Sequence, residues 1–160
     1  MKRTVLFLLL FCLILPLCGC TGDDTDNITF YYLRTQESIS YGARDAVIAP
    51  VVREVSEQNS GLNYLLRMYL SSPLPENYRS PFPSGTYLIN AVREENTLVV
   101  ELSEDFSTLE DIHLSLAAAC LCATCFDLSN AETLRIISAD LSLEFHRSSF
   151  LLLDDVTPTE

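Results

Sequence analysis

Three cysteines crowd into "ACLCATC", at Cys120, Cys122 and Cys125. Converging thiolates can hold a zinc ion, and a C-x-x-C pair at a helix N-terminus can run thiol–disulfide exchange. The stretch around them, "IHLSLAAACLCATCFDL" (112–128), is apolar nearly all round, which predicts a helix buried on more than one side. Each helical residue turns the side chain by about 100°, so Cys120 points roughly 140–160° away from both Cys122 and Cys125. The three thiols then cannot meet at one ion. Cys122 and Cys125 have redox spacing but fall mid-helix, away from the terminal amides that stabilise a thiolate. All three read as small buried hydrophobes.

The chain has two histidines, His113 and His146. His113 opens the apolar helix and His146 falls in an expected turn, so both should be exposed. Neither belongs to an H-E-x-x-H, no G-x-S-x-G occurs, and the five glycines are too scattered to cradle a phosphate. Glu101, Glu104, Asp105, Glu110 and Asp111 make an acidic stretch without the D-x-D-x-D-G calcium pattern. It reads as a solvated loop ending in a helix cap at Asp111. Pro83 and Gly85 in "PSGT" read as turn chemistry, with Gly85 free to take a positive φ. These patterns propose no catalytic, cofactor-binding or metal residue, and no cofactor.

The N-terminus carries a different chemistry. Lys2 and Arg3 precede an unbroken apolar run from Val5 to Leu15, and no charge follows until Asp23. A basic start, an apolar core and small residues at its end make a secretory signal. A membrane span needs roughly 20 apolar residues, and Pro16, Gly19 and Gly22 weaken the last part of this one. The end of the run, "LCGC", resembles the lipobox of bacterial lipoproteins. That resemblance implies cleavage between Gly19 and Cys20, loss of residues 1–19, and a lipid on the Cys20 thiol. The alternative is an uncut, membrane-spanning N-terminus.

Cleavage would remove Lys2 and Arg3, leaving eight basic residues, all arginine, against 22 acidic ones, a formal charge of 8 − 22 = −14. Such a chain repels phosphate backbones and anionic headgroups, so nucleic-acid binding is excluded and the lipid would do the membrane work. "TGDDTDN" (21–27) reads as a short acidic tether.

About 140 residues remain, enough for one domain with a real core. "ITFYYLRT" (28–35) alternates as a strand. "AVIAPVVREV" (46–55) is a second, and Pro50, which cannot donate to a ladder, places it at an edge or a bulge. Leu62, Leu65, Leu66 and Tyr69 share a helical face within 60–73, with Asn59 or Ser60 as cap and Pro73 as stop. Residues 73–85 hold four prolines and read as an irregular connection. Residues 86–102 read as a hairpin turning at "REEN" (93–96). After the apolar helix, stopped near Asn130, come a strand at 133–139 and a terminal hairpin over 141–153 turning near His146–Ser148.

The run "LLRMYLSSP", then Pro83-Ser84-Gly85-Thr86, then Val100-Glu101-Leu102-Ser103-Glu104-Asp105-Phe106, then the apolar helix and "LRIISADL", resembles the GerM domain of sporulation and spore-germination lipoproteins. The resemblance spans about residues 28 to 139. It implies one compact α+β domain (28–153), a mixed or antiparallel sheet packed by two helices in a ββαββαβ order, similar to ring-building modules, followed by an acidic tail (154–160). It also implies a non-enzymatic binding or assembly module on the outer face of the cell membrane, with an envelope protein as partner. In that family Pro83 and Gly85 would be structural. The rival expectation is a hydrolase using His113 or His146.

Overall fold

The computed structural model describes residues 25–35 and 47–149. The Gly19–Cys20 cleavage and lipidation site, residues 150–153 of the expected hairpin and the acidic tail lie outside the described residues. Two sheets flank a central helix. The first has strand order β2-β1-β3, built from β1 (Thr25–Arg34), β2 (Ile48–Ser56) and the short β3 (Tyr78–Arg79). The second runs β4-β5-β6-β7, from β4 (Leu88–Glu94), β5 (Thr97–Leu102), β6 (Thr133–Ser138) and β7 (Leu141–His146). Helix α1 spans Leu62–Ser71 and α2 spans Asp111–Leu128.

The α+β class and the two helices match expectation, but the strands divide between two sheets instead of forming one. Two strands enlarge the expected order. β3 lies inside the proline-rich connection and pairs with the end of β1. β7 folds back on β6 through a two-residue turn at Ala139-Asp140. The hairpin therefore turns there and not near His146–Ser148, where Arg147–Ser149 form a 3-10 turn instead. The sheet also takes in Thr25, Asp26 and Asn27, which sequence reading leaves in the tether; they pair with Ser56, Val55 and Glu54.

Pro50 sits on β2, an edge strand, as predicted. Its partner is Tyr31. The Tyr31 N–H donates to Thr124 Oγ1 (3.0 Å) and its carbonyl accepts from the Tyr69 hydroxyl (2.7 Å). Both backbone groups of Tyr31 thus point away from β2, and the missing proline N–H leaves nothing unpaired. Helix side chains complete the strand edge that β3 covers only at its end. The Tyr32 hydroxyl returns the favour by donating to the Tyr69 carbonyl (2.8 Å).

α1 forms on its apolar stripe, burying Leu65, Leu66 and Tyr69. Its N-cap position is Gly61, with no side-chain cap; Ser60 instead closes the preceding 3-10 turn by donating to the Glu57 carbonyl (2.8 Å). α2 is buried on several sides because β1 and the inner face of the second sheet both pack on it. It is the one helix among the described residues long and apolar enough to cross a membrane, and here it is the core helix. Glu110 holds its N-cap position, and Asp111 is the first helical residue, at φ +48°, so the expected Asp111 cap is not made. The helix stops at Ser129 instead of Asn130.

The C-terminal end of α2 is closed from a distance. Arg147 donates from Nε to the Ala131 carbonyl (2.9 Å) and from Nη2 to the Phe126 and Ser129 carbonyls (2.8 and 2.5 Å). Its guanidinium also lies 4.9 Å from the Phe126 ring centroid. A cation at a helix C-terminus satisfies orphan carbonyls and opposes the helix dipole.

Candidate functional site

The two family motifs, separated by about fifteen residues in sequence, meet at one place. Pro83–Thr86 closes as a turn through the Thr86 N–H on the Pro83 carbonyl (3.2 Å), and Gly85 stands at φ +101°. The chain then enters β4, whose antiparallel partner β5 ends at Leu102, so Ser103 arrives beside Tyr87. Ser103 N–H donates to the Tyr87 carbonyl (3.0 Å), and Tyr87 N–H donates to Ser103 Oγ (3.1 Å). Ser103 Oγ donates to Asp105 Oδ2 (3.1 Å). The Ser103 carbonyl accepts from Ser138 Oγ (2.7 Å), which itself accepts from the Ser107 N–H (3.1 Å).

Ser103 thus has its N–H, hydroxyl and carbonyl all engaged, and it is buried. A hydroxyl held this way, without an imidazole against it, is a brace and not a nucleophile. The carboxylate of Asp105 lies over Gly85: a Cβ at that position would sit 3.4 Å from both Asp105 oxygens. Pro83 and Gly85 therefore have structural surroundings. The expected solvated loop is a 3-10 helix, Glu104–Thr108, whose Phe106 is fully buried. A chain of rings carries this anchor across the core: Phe106 to Phe82 (6.3 Å), Phe82 to Tyr69 (5.4 Å, edge-on), Tyr69 to Phe30 (5.4 Å, stacked).

The other sequence-nominated residues do not converge. Cys120, Cys122 and Cys125 are fully buried and unpaired with one another as disulfides. Burial pushes the Cys120 and Cys122 thiols up to about 12, and Cys125 well above its ordinary value. Thiols so desolvated stay protonated and unreactive. His113 is exposed in the first turn of α2. His146 is exposed at the end of β7, with Nδ1 3.1 Å from Thr133 Oγ1. Thr133 begins the strand that leaves the far end of α2, so the length of the helix, roughly 20 Å, separates the two imidazoles. Of the acidic stretch, Asp105 turns to Ser103, while Glu101, Glu104, Glu110 and Asp111 are exposed. Among the described residues no three His, Cys, Asp or Glu side chains are placed to hold a metal ion.

Sequence reading missed three residues that the structure makes central. Ser138 and Arg147 escape sequence reading because a hydroxyl or guanidinium that reaches a distant carbonyl leaves no periodic trace. Asn63 is the third. Its side-chain amide accepts from the Ala91 N–H (3.0 Å) and donates to the Ala91 carbonyl (2.8 Å), pairing with the outer edge of β4 as a neighbouring strand would. The lone polar residue on a helix shoulder, Asn63 in "GLNYLL", was the available signal.

The fold and this internal brace define an α+β domain whose nominated residues do not converge on a reactive centre. The family model for Germane, sporulation and spore germination, matches residues 29–138, and the chain belongs to that family. The tandem GerMN domains of the sporulation protein GerM from Bacillus subtilis are similar in fold: TM-score 0.53 at 14% identity, covering 76% of this chain and 42% of that one. The chain therefore spans about two-fifths of that tandem. A candidate lipoprotein from Clostridium perfringens aligns with TM-score 0.43 at 14% identity, over 78% of this chain and 89% of that one. A comparison with the curated proteins finds no match.

Proposed function

We propose that this chain is a lipid-anchored binding or assembly module of the bacterial envelope, working in sporulation or germination from the extracytoplasmic face of the cell membrane. The observation that carries the reading is the fate of the family motif. Its polar groups at Ser103, Asp105 and Ser138 are spent on one another, with the Asp105 carboxylate over Gly85, so the motif braces the scaffold and leaves the outer surface to do the work. The Germane match supplies the process, and the "LCGC" end of the signal supports anchoring through Cys20.

Mass spectrometry of the chain purified from a spore-forming host's membranes tests the anchor. The expected N-terminus is an acylated Cys20 that incorporates labelled palmitate. An unlabelled chain that keeps residues 1–19 overturns it. A His113→Ala, His146→Ala double variant tests the non-catalytic part: it should restore spore yield and germination to a deletion strain as fully as wild type. Failure to restore, from a folded and correctly located variant, would favour a hydrolase.

A further inference from the structure

We infer that the outer face of the second sheet, centred on Val92, docks a protein surface that sets basic side chains among apolar ones. This deepens the reading as a binding module and rests on it. A bulge in β4 sets the geometry. The register slips between Leu88 and Asn90, so Leu88 and Ala91 both face the core while Ile89 and Asn90 both face out. Tyr87, Ile89 and Val92 are left 61%, 45% and 44% exposed. Val92 pairs with Val99 on β5, and Ile137 lies beside Glu101 on the next strand over, both half-buried and on the same face. Contiguous large apolar side chains on one sheet face are a recognised mark of an interaction site, unlike single exposed ones.

Charge selects the occupant. Glu94 follows Val92 along β4, Glu101 pairs with Asn90, and neither has an ion-pair partner among the described residues. Arg135, the arginine on this face among the described residues, is already held by Glu144 at 3.0 Å. The face thus carries unpaired carboxylates at one end of the patch, at Glu94, and within it, at Glu101 between Asn90 and Ile137, in a chain of net charge −12 before any cleavage. A second copy would bring the same carboxylates and repel, and anionic lipid or nucleic acid would repel likewise. A protein surface with lysine or arginine set among its apolar side chains complements it. Backbone strand addition at this edge is blocked at Ala91 by Asn63, so the contact is made through the face.

The test uses the full-length chain in its own membrane. A photo-activatable phenylalanine analogue replaces Val92, and in a separate strain Val52, which is 61% exposed on the other sheet. The expected result is a Val92 adduct with a different protein, absent at Val52, in which the cross-linked peptide is rich in Lys and Arg. With that partner purified, Val92→Asp and the Glu94→Lys, Glu101→Lys pair should each weaken binding about tenfold or more, with unchanged circular dichroism, and wild-type affinity should fall as salt rises. Adducts at Val52 but not Val92 refute this surface and leave the module reading standing. Adducts at neither position refute both. A Val92 adduct with a second copy of this chain, or affinity indifferent to salt, refutes the basic partner.

Discussion

Replacing Gly85 and Asp105 by alanine, one at a time, tests the positive-φ turn and the Ser103–Asp105 brace. At φ +101° an L-residue is strained, at a cost of about 1–2 kcal/mol. The new Cβ would lie 3.4 Å from both Asp105 oxygens, an ordinary van der Waals contact, so the carboxylate that accepts the Ser103 hydroxyl at 3.1 Å keeps its place. That part-buried hydrogen bond, worth about 0.5–1 kcal/mol, is removed by Asp105→Ala instead. Alanine in place of Gly85 offsets about 0.4–1 kcal/mol by lowering the entropy of the unfolded chain. The net expectation is a loss of about 0.5–1 kcal/mol, read as a fall in Tm of roughly 2–5 °C for a domain of this size. Urea unfolding followed by circular dichroism, with Tm from calorimetry, measures it. Because the added methyl displaces nothing, Gly85→Ala and Asp105→Ala should be additive to within about 0.5 kcal/mol. A Gly85→Ala variant as stable as wild type would refute the strained turn, and an Asp105→Ala variant as stable as wild type would refute the brace.

Glu95 and Ala139 each hold a positive φ, 53° and 48°, at the first position of a two-residue hairpin turn, so glycine at either should raise stability by about 0.5–1 kcal/mol in the same urea assay. Asn63→Leu should cost about 1–3 kcal/mol by orphaning the Ala91 backbone, and light scattering should show faster aggregation from the opened β4 edge. Arg147→Lys should lose most of what Arg147→Ala loses, about 1 kcal/mol, because an ammonium cannot span three carbonyls; equal stability of Lys and wild type in thermal melts would count against the cap. The buried thiols set an alkaline limit. Their folded pKa lies above the unfolded one, so their contribution is complete below about pH 9 and is lost as pH rises toward about 12. Stability should then fall by roughly 1.4 kcal/mol per pH unit for each thiol, and Cys120→Ala should flatten that slope.

The sequence by itself determined the elements whose cause is local. Period-two and period-3.6 patterns placed β1, the β4–β5 hairpin, α1 and β6, and the unbroken apolar surface of residues 112–128 announced a helix buried on several sides with its cysteines inside. Pro50 alone limited its strand to an edge or a bulge, because a missing N–H is a property of one residue, and the structure chose the edge. The order of short motifs pointed to the family, and "PSGT" to the turn with Gly85 at positive φ. Only the tertiary structure decided which groups meet across the fold. The division into two sheets depends on α2 filling the space between them, with Thr124 and Tyr69 completing β1 in place of further strands. The Asn63–Ala91 pairing, the Ser103–Ser138 bond and the Arg147 cap join residues 28, 35 and as many as 21 positions apart. A side chain bonding to distant backbone leaves no period in the sequence, since its partner is fixed by where packing brings the chain and not by spacing along it.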